Sequence, residues 1–168
     1  MIMKKLLFSI LFAIMPLLAS AQMRFGYFSY EALLKSMPEY RQAQSNIDDL
    51  RQKYEAEMKR AEQDFNAKYE EFLEVQRDLV PSILRKRQTE LQDMMNRNIA
   101  FKADAQRLLK QAESDTFAPV KRKLDEAIAA AGRKQGYAFI INTDGDACPY
   151  VNPEMGEDAS EAIKEAMK

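Results

Sequence analysis

Oxygen-bearing side chains at alternate positions suit calcium coordination, and Asn142, Asp144 and Asp146 have that spacing. A calcium loop counted from Asn142 needs glycine at its sixth position and a bidentate glutamate at its twelfth. Those places hold Ala147 and Pro153, so a β-turn closed by local side-chain to backbone hydrogen bonds is the better reading. Histidine is absent, which removes the usual general base and metal ligand. The single cysteine, Cys148, has no partner in its own chain and reads as a small buried strand residue rather than a reactive thiol. No glycine-rich phosphate loop occurs, so neither a nucleotide nor any other cofactor is expected. A nucleophile paired with a base is also missing, which argues against a secreted enzyme.

What remains is chemistry of contact. Arg77, Arg85, Lys86 and Arg87 lie close in sequence with Asp78 the only acidic residue between the first and the last. They would steer acidic polypeptide segments or anionic lipid head groups; the plainer reading is a solvated helix end. Met95, Ile99 and Leu109 fall off the apolar seam drawn below. They either widen the core stripe or face a binding cavity, where unbranched methionine suits varied partners. Tyr54, Phe65, Tyr69 and Phe72 form an aromatic run whose default role is packing against a returning helix.

The elements that position these residues follow from periodicity. Ile47, Leu50, Tyr54, Met58, Ala61, Phe65, Tyr69, Phe72 and Leu79 recur in steps of three and four, an 11-residue repeat that favours a straight or slightly right-handed pairing. No Gly or Pro interrupts 39–79, so a helix of roughly 60 Å is expected. Pro81 and Ser82 break it, and a second run extends to Gly132. On that run Leu91, Met94, Asn98, Phe101, Ala105, Leu108 and Ala112 alternate by three and four, nearer a heptad. A turn centred near Pro81 sets Tyr54 opposite Leu108, Leu50 opposite Ala112 and Phe65 opposite Asn98. Pro119 should kink the returning helix, either as a hinge or within a continuous bent helix.

The ends differ in kind. Lys4 and Lys5, the apolar run 6–18 and Ala19-Ser20-Ala21 make an export leader cleaved before Gln22. An uncleaved leader would instead leave a membrane anchor. Losing two of the 25 basic residues leaves 23 against 26 acidic ones, a balance unsuited to nucleic acid. Residues 24–29 and 137–142 read as strands, with a third at 147–151 and a terminal helix from about Asp158. The divisions are therefore 1–21 leader, 22–37 first strand and short helix, 38–131 helical hairpin with its turn near 80–82, and 132–168 closing strands and helix. The fold class is α+β, mostly α: a long two-helix coiled-coil arm on a small strand base. Such a base buries too little apolar area to stand alone, and oligomerisation is the expected remedy.

That order of leader, first strand (RFGYFSYEALL), charged hairpin and closing segment (GYAFIINTDGDACPYVNPEMGEDASEAIKEAMK) resembles the Skp/OmpH family of periplasmic chaperones over essentially the whole mature chain. The resemblance implies a homotrimer whose strands share a base and whose arms enclose an unfolded outer-membrane protein. It supplies no catalytic residue. A structural coiled-coil spacer is the rival expectation. It should show an uninterrupted heptad seam, whereas Gln76 and Asn98 interrupt this one.

Overall fold

A computed structural model describes residues 23–146 and 148–168. The leader and its cleavage point lie outside the described residues, as does Ala147. The elements run β1 (Phe25–Phe28), α1 (Tyr30–Ser36), α2 (Pro38–Val75), α3 (Pro81–Gln135), β2 (Phe139–Asn142), β3 (Gly156–Asp158) and α4 (Ser160–Ala166). They fall into two compact units, one of residues 35–121 and the other of residues up to 34 and from 122 onward.

The strand-bearing unit is a three-stranded parallel sheet in the order β2-β1-β3. Phe25 pairs with Phe139 on one side and with Gly156 on the other. Parallel neighbours need long connections; the whole hairpin separates β1 from β2. Leu124 and Ala127 of α3, Phe28 of β1, and Ala159 and Ile163 at α4 are buried, Leu124 and Ile163 completely. Gly156 is required where it stands: an added Cβ would come within 2.5 Å of the Phe25 ring. The third strand therefore forms at 156–158 and not at the expected 147–151, of which 148–151 carry no strand. Cys148, expected in that strand, is instead half-exposed outside any strand, its Sγ 3.6 Å from the Tyr150 carbonyl oxygen.

In the other unit, α2 and the first part of α3 form the hairpin. The connection spans 76–80, so Pro81 starts the returning helix and does not centre the turn. Proline suits a first helical position because the N–H it lacks has no helical partner there. The Tyr54 ring reaches Phe101, with centroids 6.2 Å apart, while Phe65 and Asn98 border one groove as expected. The Asn98 amide donates to the Ala61 carbonyl oxygen at 3.1 Å. Leu50 and Ala112 do border one cavity, as expected.

Leu109 is half-buried whereas Leu108 is 42% exposed, the reverse of the heptad expectation. A heptad falls about 20° behind a straight helix at each repeat, so by the third repeat the seam passes to Leu109. From Asn98 onward the returning helix thus adopts the same 11-residue repeat as its partner. Helix α3 runs unbroken through Pro119 to Gln135, so it is one continuous element. It ends beyond Gly132, at Gly136, whose φ of +70° stops the helix in the left-handed conformation glycine permits.

Candidate functional site

The hairpin surface carries every residue singled out for contact. Arg77 lies in the connection, and Arg85, Lys86 and Arg87 occupy the first two turns of α3, so all four share one end of the hairpin. All four are exposed. Glu90 answers two of them weakly, at 3.8 Å from Lys86 and 3.5 Å from Arg87. Arg77 and Arg85 have no ion pair among the described residues. The first turn of α3 holds no acidic residue, although a helix N-terminus favours negative charge and disfavours cations. Nothing in the hairpin's own stability calls for this arrangement.

Met95 is 40% and Ile99 61% exposed, off the seam as the spacing indicated; Leu109 belongs to the seam. Tyr69, expected on the seam, is 45% exposed and stacks on Phe65 with centroids 6.0 Å apart. Val80, which continues the 11-residue repeat of Ile47, Met58 and Tyr69, is 56% exposed, and sequence reasoning passed over Leu73, Val75 and Ile83, which are also exposed near the connection. The signal of Leu73, Val75 and Ile83 was available, since these three fall off the three-four stripe. Phe65 and Met58 of α2 face Met95, Ile99 and Phe101 of α3 across a groove of about 530 Å³. The interhelical polar links are sparse: Arg51 binds Glu113 at 2.8 Å, and Asn98 reaches Ala61.

The strand-bearing unit is polar in a different manner. Arg24 donates to both carboxylate oxygens of Glu157, at 2.7 and 2.9 Å, and to the Gln135 carbonyl oxygen at 3.1 Å. The Tyr137 hydroxyl donates to Glu157 at 2.8 Å. Bonds from Arg24 first, then from Tyr137, hold the Glu157 carboxyl below its ordinary value. Burial, then the Glu157 carboxylate, raises Tyr137. The Asn142–Asp146 segment forms a turn, with Asn142 Oδ1 accepting from the Asp144 N–H at 3.1 Å. That oxygen also accepts from the Tyr30 N–H, and Asp144 accepts from the Glu31 N–H at 2.7 Å. Asp144 therefore caps α1 from a distant part of the chain, a contact no local pattern could announce. Hydrogen bonds from Ser29 and then from the Glu31 N–H hold its carboxyl below the ordinary value. Among the described residues no group of three or more His, Cys, Asp or Glu side chains could hold a metal, and no helix is long and apolar enough to cross a membrane.

A parallel three-stranded sheet and a long, unevenly covered helical hairpin define an α+β architecture, mostly α. The profile of the OmpH-like outer membrane protein family matches residues 24–167, and the chain belongs to that family. A crystal structure of a candidate OmpH-like outer membrane chaperone from Caulobacter crescentus CB15 has a similar fold, with a TM-score of 0.71 at 16% identity. The match covers 89% of this chain and 86% of that one. Among individually curated proteins none matches.

Proposed function

We propose that the protein is a non-catalytic, ATP-independent holdase of the periplasm that keeps unfolded outer-membrane β-barrel proteins from aggregating. The observation that carries this reading is the hairpin's exposed apolar surface: Tyr69, Leu73, Ile83, Met95, Ile99 and Leu108 are all at least 40% exposed and interleaved with charge. A spacer would bury such side chains in its seam, while a holdase needs them accessible and dispersed, so that many weak contacts add up without collapse onto one another. Family membership and the fold shared with a candidate outer membrane chaperone support the same reading.

In this reading the leader directs export, and three copies assemble through the strand edges. The β2 edge leaves Phe139 48% exposed, and an unprotected edge invites pairing. The hairpins of the trimer enclose the client. Arg77, Arg85, Lys86 and Arg87 steer acidic client segments or anionic lipid head groups toward the hairpin end. The test dilutes a urea-unfolded outer-membrane β-barrel protein into buffer containing the mature chain, with light scattering of the mixture and of the chaperone alone. Suppressed turbidity, indifferent to ATP, and three times the monomer mass are expected. Unchanged aggregation at excess protein would sink the holdase reading, and a stable monomer at micromolar concentration would sink the trimer.

A further inference from the structure

Asn98 is unusual for a seam position. It lies between the apolar residues Met94, Phe101 and Ala105 of the stripe, where an aliphatic side chain would pack the hairpin better. Its amide group donates to the Ala61 carbonyl oxygen at 3.1 Å. That oxygen belongs to the backbone in mid α2, so the bond pins the side chain to the opposite helix. Its own carbonyl oxygen accepts nothing from another residue among those described, although the side chain is half-buried. Asn98 also borders the groove of about 530 Å³ flanked by Met58 and Phe65 on one side and by Met95 and Ile99 on the other. The rim charges are balanced, with Glu55 and Glu62 against Lys59 and Lys102.

We propose that this groove is a peptide subsite whose occupant is a short, uncharged apolar segment of an unfolded chain. Asn98 is its fixed polar anchor. Three features fit that occupant. Unbranched methionine and two aromatic rings adapt to side chains of differing shape. The balanced rim repels neither sign and rewards neither, which selects uncharged segments. An unfolded chain carries unpaired backbone N–H groups, and burying one against an apolar wall without an acceptor is costly; an acceptor held in place by Ala61 removes that cost. The proposal rests on the holdase reading and gives it a local address.

The whole chain contains no tryptophan, so a blocked nine-residue peptide alternating serine with leucine around one central tryptophan reports its own burial. Mature native protein should give a saturable blue shift of the peptide's emission, displaced by unfolded β-barrel protein. Ile99→Asp should weaken binding at least tenfold. Asn98→Leu, which retains helicity by circular dichroism, should weaken it about fivefold, the equivalent of one hydrogen bond. Tyr150→Ser, on an exposed residue that does not border the groove, should leave it unchanged. Failure of the native protein to bind the peptide while it still suppresses β-barrel aggregation would overturn the subsite and spare the holdase reading. Peptide binding without suppression would support the subsite and overturn that reading. Equal binding by native protein, Ile99→Asp and Asn98→Leu would place the contact elsewhere and end the proposal.

Discussion

The strand-bearing unit and the hairpin unit are held together by different kinds of interaction. In the former, directed bonds join residues more than a hundred positions apart: Arg24 to Glu157, Tyr30 to Asn142, Glu31 to Asp144 and Thr143 to Phe28. In the hairpin most ion pairs are local, at three or four residues, such as Arg51 with Asp48, Arg60 with Glu57 and Arg107 with Asp104. Local pairs reinforce each helix and say little about its partner. Burial follows the same division. Leu124 and Ile163 are wholly enclosed, whereas much of the hairpin's apolar stripe remains half-exposed. Specific long-range bonds fix one arrangement; locally braced helices keep an accessible apolar surface without unfolding.

Core truncation should break this contrast if it is wrong. Leu124→Ala or Ile163→Ala removes a fully buried side chain and should cost about 2–5 kcal/mol. Ile99→Ala, at an exposed position, should fall within about 0.5 kcal/mol of native. Thermal or urea denaturation compares them directly, and equal losses would erase the distinction between the units. Gly156→Ala comes next. Its Cβ would collide with the Phe25 ring, and overpacking of this kind costs about 1–3 kcal/mol. A Phe25→Leu background, which removes the ring, should restore most of that loss.

The carboxylates of the strand-bearing unit sharpen the comparison through pH. Glu157, Asp144 and Asp158 are all held below their ordinary values, by Arg24, by Ser29 and by Ser160 respectively as the largest causes. The folded state therefore binds their protons less readily than the unfolded state. Their stabilisation is fully present above the ordinary carboxylate range near about pH 4 and is lost as pH falls through the lowered folded values. The stability gap between native protein and Glu157→Gln should accordingly be widest at neutral pH and close on acidification. A gap that stays constant from neutral pH to below the carboxylate range would show that the charge of Glu157 contributes nothing.

How far the sequence could be read follows the same line between local and distant interactions. The hairpin, its long helices and the terminal strands at Phe25–Phe28 and Phe139–Asn142 were legible because periodicity is a local property. The place of the turn was not, because a proline can close a turn or open a helix, and Pro81 does the latter. Leu109 was misplaced by the small angular difference between seven- and eleven-residue repeats, which accumulates beyond a short window. The strand at Gly156–Asp158 was invisible because the strand it pairs with lies 131 positions away in the register, at Phe25. For the candidate site, the exposure of Met95 and Ile99 was readable from their spacing. The groove they border was not, since it depends on which residues of α2 lie opposite.

The smallest expected effect concerns the basic end of the hairpin. Arg77, Arg85, Lys86 and Arg87 are exposed, so replacing them by glutamine should change stability little. Their contribution to function, if they steer clients, is kinetic. Exposed charges act beyond contact distance only within the screening length, about 8 Å at physiological ionic strength. The fourfold variant should therefore bind an unfolded acidic β-barrel protein more slowly at low salt, with dissociation unchanged. The two proteins should converge as salt rises. Stopped-flow association measured across salt concentrations separates this from contact: a dissociation rate that rises in the variant and ignores salt would make these residues part of the binding surface itself, alongside Met95 and Ile99, and not a steering field at its end.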